Sequence, residues 1–216
     1  MREIAAILTI LIGLAGMAHA QASETSNQAI VLLIDTSGSM RDENRLAYAK
    51  EAAKAVARQL KDADLFGVIG FNINPYIVVF LDKMANNRKV VDAQIDRLKP
   101  AGQTDFLPAL TQANNALEYW SASKKHVILL SDGITRGSRN DLINQVYLMK
   151  LKLNITVSAI AISKEADVRL MKSIAQYGGG FFQLVCDAST MPQVMAEQLF
   201  SNTGTPQPNS EAQTCP

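Results

Sequence analysis

Two of the 216 residues are cysteine and two are histidine, aromatic side chains make up 6%, and the charges nearly cancel, with 21 Lys and Arg against 20 Asp and Glu. Each shortage excludes something. Two cysteines, Cys186 and Cys215, are too few for a metal–thiolate cluster. A net charge of +1 provides no long-range attraction toward nucleic acid or an anionic membrane, so neither is expected as a partner. No Gly-x-x-x-x-Gly-Lys phosphate loop occurs, and Gly178-Gly179-Gly180 precedes an apolar run, where it suits a helix stop better than a nucleotide cradle. The hydrophobic content, 48%, is enough for one well-buried domain, so specific local sites must carry the function.

The first twenty residues differ from the rest. Arg2 follows the terminal amine, Ile4 through Met17 is almost wholly apolar, and Ala18-His19-Ala20 fits a small-x-small cleavage pattern. This reads as a secretory signal peptide over residues 1–20, since the run is short against the ~20 residues that span a bilayer. Cleavage after Ala20 leaves no stable membrane anchor and places the chain in the periplasm or outside the cell. There, Cys186 and Cys215 form an expected disulfide.

After a lead over residues 21–28, Ala29 to Asp35 (AIVLLID) is a continuous apolar run of the kind buried on both faces of a parallel sheet. A helix is predicted from about Asp42 to Leu60, with Leu46, Ala49, Ala53, Val56, Ala57 and Leu60 on one stripe and Asp42 and Glu43 in an acidic first turn. The runs LFGVIGF (Leu65 to Phe71) and YIVVFL (Tyr76 to Leu81) are joined by only four residues, too few for a parallel crossover, which predicts an antiparallel hairpin. A polar helix from about Asn86 to Leu98 and a helix from Thr104 or Asp105 to about Trp120 follow. Strands at 126–132, 155–162 and 181–185 then alternate with helices at 138–152, 165–177 and 189–200, the pattern of an α/β protein. Residues 201–216 have almost no apolar content and read as a disordered tail.

Two of these strands end in an aspartate, VLLID at Asp35 and VILLSD at Asp132, each before a turn of small residues. Open α/β sheets gather ligands beyond the carboxyl ends of their strands, where strand order reverses. The turn Asp35-Thr36-Ser37-Gly38-Ser39 presents a carboxylate and two hydroxyls spaced two apart. All are oxygen donors, suited to a hard cation such as Mg2+, Ca2+ or Mn2+.

This segment resembles the Asp-x-Ser-x-Ser signature of the metal-ion-dependent adhesion site in von Willebrand factor type A domains. Gly102-Gln103-Thr104-Asp105 and Ser131-Asp132-Gly133 are similar to the family's other two motif pieces, and the likeness covers roughly residues 29–200. The resemblance implies a three-layer, Rossmann-like fold. Its six-stranded, mainly parallel sheet has the order 3-2-1-4-5-6, with one antiparallel edge strand and flanking helices. It also implies that Ser37, Ser39 and Thr104 bind a divalent cation directly, Mg2+ first among candidates, while Asp35 and Asp132, whose counterparts in the family act directly or through water, hold and orient waters here. The implied partner is a protein presenting an Asp or Glu carboxylate, and the implied class is a binding module, not an enzyme.

Plainer roles exist for the same residues. Ser39 with Asp42 fits a helix capping box, Thr104 or Asp105 fits a helix N-cap, and Asp132-Gly133 fits a turn. All five positions coinciding in order favours the metal. The runner-up is a scaffold subunit whose metal only stabilises loops. Third comes a metal-assisted hydrolase, which needs a general base, and His126, at the start of its strand, belongs to the opposite end of the sheet.

Overall fold

The computed structural model describes residues 28–200 and Cys215. A six-stranded sheet runs in the order β3-β2-β1-β4-β5-β6, built from β1 (Gln28–Asp35), β2 (Leu65–Phe71), β3 (Pro75–Lys83), β4 (Lys124–Ser131), β5 (Ile155–Ile162) and β6 (Gly179–Val185). Every neighbouring pair is parallel except β2 with β3, which form the antiparallel hairpin at one edge. The α-helices are α1 (Arg45–Gln59), α2 (Met84–Asn87), α3 (Val91–Asp96), α4 (Phe106–Glu118), α5 (Arg139–Leu153), α6 (Val168–Gly178) and α7 (Met191–Phe200).

The apolar run of β1 supplies both halves of the core. Ile30, Leu32 and Ile34 face the layer of α1, α3 and α7, while Ala29, Val31 and Leu33 face α4, α5 and α6. Ile128 and Leu130 of β4 join the first side, Val127 and Leu129 the second. Such two-sided burial explains why these strands are continuously apolar and not alternating. Truncating a side chain such as Leu32 to Ala would cost about 2–5 kcal/mol. Among the described residues no helix is long and apolar enough to cross a membrane.

Three elements depart from expectation. The first helix starts at Arg45, not Asp42, because Gly38–Asn44 winds as a 3-10 turn in which Asp42 is extended and Glu43 and Asn44 both have left-handed φ, 50° and 56°. The acids at 42 and 43 therefore precede the helix and are not its first turn. The helix expected over 86–98 is two short pieces, α2 and α3. Asn87, the last residue of α2, is buried where the β2–β3 register slips, and its amide donates to the carbonyls of Phe66 and Phe80 at 2.9 Å each, which pins the end of α2 to the hairpin. The place of His126 at the start of its predicted strand suggests a surface or strand-cap residue, but its imidazole is partly buried, 2.8 Å from the Ser158 hydroxyl and edge-on to Phe181, with burial holding its pKa down at about 4.

Cys186, just beyond β6, is disulfide-bonded to Cys215, with a Cα–Cα separation of 5.3 Å. The expected signal peptide, residues 21–27 of the expected lead and the rest of the tail lie outside the described residues, while Gln28 already belongs to β1.

Candidate metal centre

The chain runs β1, β2, β3 toward one edge of the sheet and then returns to place β4 on the other side of β1. The order reverses between β1 and β4, so the loops leaving their carboxyl ends diverge and open a crevice. Asp35 ends β1, and Asp132 directly follows Ser131, the last residue of β4. Backbone hydrogen bonds knit the surrounding loops together: Gly38 N to Gly102 O at 2.9 Å, Ala101 N to Thr36 O at 2.6 Å, Thr36 N to Phe71 O at 2.7 Å and Arg136 N to Thr104 O at 3.0 Å.

All five motif residues from the sequence come together here. Ser39 Oγ donates to Asp132 Oδ1 at 2.8 Å and lies 3.2 Å from Ser37 Oγ. Since the Ser39 proton is committed to Asp132, Ser37 donates to Ser39. Thr104 Oγ1 donates to Asp35 Oδ2 at 3.4 Å, and Ser37 N donates to Asp35 Oδ1 at 2.7 Å. Of the plainer roles, the helix cap holds for Asp105, which accepts from Leu107 N at 3.1 Å at the start of α4, while Thr104 is left to the site and Ser39 caps no helix. Arg41 is exposed and reaches the Pro100 carbonyl at 3.3 Å.

Two residues of this network were not picked out from the sequence. Ser131 Oγ donates to Asp35 Oδ2 at 2.5 Å and accepts from Gly133 N at 3.1 Å. Arg45 Nη1 donates to Asp132 Oδ2 at 2.7 Å, and its Nη2 meets Glu43 and Glu165 at 3.2 and 3.1 Å. One signal for Arg45 existed: a cation in the first turn of α1 opposes the helix dipole and needs a compensating anion.

The electrostatics follow from burial. Asp35 and Asp132 are both sequestered from solvent. Burial pushes Asp35 up to about 6, against hydrogen bonds from Ser131 and Ser37 that pull it down, and Asp132 adds a further rise by charge repulsion. Arg45 is raised above its usual range; burial works against its charge, but the bonds to Asp132, Glu43 and Glu165 outweigh that.

The donor set fits a hard divalent cation. Two carboxylates and three hydroxyls from three separate loops converge, with no nitrogen or sulfur among them. The floor of the site also has no room to spare: a Cβ added to Gly133 would stand 3.1 Å from Thr104 Oγ1 and 3.8 Å from Asp35 Oδ2.

Comparison with known proteins agrees with this architecture. The model of the von Willebrand factor type A domain matches residues 29–197, and the chain belongs to that family. A UPF0353 protein of Mycolicibacterium gilvum is 30% identical over 151 residues, 62% of this chain and 44% of its own length. This chain spans less than half the length of the curated relatives it matches. Among solved structures, a von Willebrand factor type A protein from Catenulispora acidiphila superposes with a TM-score of 0.74 at 25% identity, covering 80% of this chain and 42% of the other. Proximal thread matrix protein 1 of the mussel byssus, solved with zinc in the motif of its metal-ion-dependent adhesion site, superposes at a TM-score of 0.66. It is 18% identical, over 79% of this chain and 46% of its own.

Proposed function

We propose that this domain holds a divalent cation at the carboxyl ends of β1 and β4 and uses it to capture a carboxylate of a partner protein. The observation that carries the reading is the convergence of Asp35, Ser37, Ser39, Thr104 and Asp132 in one hydrogen-bonded cluster drawn from three loops. Ser37, Ser39 and Thr104 would hold the ion directly, and Asp35 and Asp132 directly or through water. Mg2+ is the first candidate, with Mn2+ and Ca2+ next.

When bound, the ion supplies an electron-poor centre for a hard anionic donor, and among protein side chains that donor is a carboxylate. The chain's own contribution is positional. The backbone bonds between loops fix the hydroxyls, Ser131 orients Asp35, and Arg45 orients Asp132. His126 enters β4 from the opposite end and cannot act as a base at this site, which supports binding over hydrolysis. The apolar leader and the Cys186–Cys215 bridge support a location outside the cytoplasm.

Titration calorimetry with Mg2+ tests the site: saturable binding is expected in the parent and not in Ser37→Ala, Ser39→Ala or Thr104→Ala variants that keep their fold. Capture from envelope extract, with and without chelator, tests the use of the ion. A partner lost in chelator and in the three variants is expected. A partner retained after the metal is stripped would put the scaffold reading in its place.

A further inference from the structure

Arg45 is the feature of the site that the metal-binding motif does not account for. It stands at the start of α1, is almost wholly buried, and directs its Nη1 at Asp132 Oδ2 with a 2.7 Å bond. Its Nη2 is clamped from the other side by Glu43 and Glu165. Its Nε is buried without a hydrogen-bond partner, an uncompensated polar atom that the fold tolerates to keep the guanidinium in place. Glu43 reaches the clamp from a left-handed backbone conformation, and Asn44, beside it, shares that conformation. One guanidinium thus joins a carboxylate of the site through Nη1 to two carboxylates outside it through Nη2.

We infer that Arg45 is a positioning residue that reserves Asp132 Oδ2 and thereby tunes the site toward small octahedral cations and away from calcium. The inference rests on the proposed metal site. Asp132 has two oxygens: Oδ1 is shared with Ser39 on the site side, and Oδ2 is held by Arg45. A carboxylate so divided can serve an ion, or its bound water, through Oδ1 alone. Mg2+ and Mn2+ accept such single-oxygen ligation within an octahedron. Ca2+ takes six to eight oxygens and often both of one carboxylate. To gain the second oxygen of Asp132 it must weaken a buried, charge-assisted bond to Arg45, a cost that Mg2+ escapes.

The charge of Arg45 repels both ions equally, since both are divalent. The ratio of their affinities therefore isolates the positioning effect from the electrostatic one. Removing Arg45 should also raise affinity for both ions, but only the lost hydrogen bond changes their ratio.

The test is titration calorimetry of the folded, metal-free domain with Mg2+ and with Ca2+, in the parent, Arg45→Met and Arg45→Lys. The parent is expected to favour Mg2+. In Arg45→Met the ratio of the calcium to the magnesium dissociation constant should fall by about tenfold, the equivalent of one charge-assisted hydrogen bond. Arg45→Lys, which keeps the charge but cannot hold Asp132 and both glutamates in one planar fork, should fall between. If Arg45→Met does not fold, the shift in Arg45→Lys decides. A ratio unchanged in the folded variants, with parental binding intact, overturns the role of Arg45 and leaves the metal site standing. A parent that binds neither ion overturns both.

Discussion

Ser39 and Asp132 lie 93 positions apart in the chain, and the hydroxyl of one donates to the carboxylate of the other at 2.8 Å. That bond joins the turn after β1 to the end of β4 and closes the candidate site across the point where strand order reverses. A cation would have to meet this pair and their neighbours together, which makes several outcomes measurable.

Metal and folding should be linked. If Mg2+ or Mn2+ binds the native site and not the unfolded chain, saturation at ~100 times the dissociation constant stabilises the domain by about 2.7 kcal/mol. Asp35→Ala should fold and lose that gain. A thermal melt with and without metal reads it directly, and an equal rise in the variant would place the ion elsewhere.

The pH dependence of the metal-free domain should carry the signature of Asp35. Its folded pKa, about 6, stands above the ordinary 3.8, so the folded state binds the proton more tightly. The associated stability is full below pH ~4 and fades as pH rises through about 6. Asp35→Asn should consequently stabilise the metal-free domain at neutral pH, by up to about 3 kcal/mol. Saturating metal should reverse the slope, because the ion competes with the proton for the same carboxylate. Urea denaturation at pH 4.5 and 7.5, with and without metal, gives all four values; a parent slope identical to that of Asp35→Asn would refute the assignment.

Gly133→Ala should weaken metal binding while leaving the fold nearly intact. The new methyl would stand 3.1 Å from Thr104 Oγ1, so the hydroxyl must shift by a few tenths of an ångström. The loss of affinity should appear in calorimetry with an unchanged circular dichroism spectrum. Undiminished affinity would mean that Thr104 is not a ligand.

The Cys186–Cys215 bridge closes a loop across a sequence separation of 29 and should contribute about 3 to 4 kcal/mol by restricting the unfolded chain. Thiol titration of the denatured, unreduced protein should find no free thiol. Reduction should lower the urea midpoint by the corresponding amount, and two titratable thiols in protein recovered from an oxidising compartment would contradict the pairing.

Much of this architecture was legible because burial on both faces leaves a plain trace. The apolar run of β2 and the β-branched, apolar-rich run of β5 mark their own ends at Leu65, Phe71, Ile155 and Ile162, as found. The four-residue link at 72–75 announced the antiparallel hairpin, and the three motif pieces announced which loops would meet. What remained hidden depended on partners distant in sequence. Asn87 is buried because its amide serves the carbonyls of Phe66 and Phe80, and nothing near position 87 records that need. Arg45 looks like an ordinary surface residue of an amphipathic helix until Asp132 and Glu165 arrive from beyond β4 and β5. Ser131 reads as one more residue of a strand until its neighbour across the sheet is known to end in a carboxylate.

The strand order has a kinetic consequence. The β2–β3 hairpin can pair early, since its strands are neighbours in sequence, whereas β1 must wait for β4 to be made and docked nearly a hundred residues later. Ser131 reaches Asp35, and Asp132 reaches Ser39, only at that late docking. A chain in which β1 and β4 have not yet paired would thus offer a passing cation one carboxylate of the two, and full capture at the proposed site would wait for that pairing.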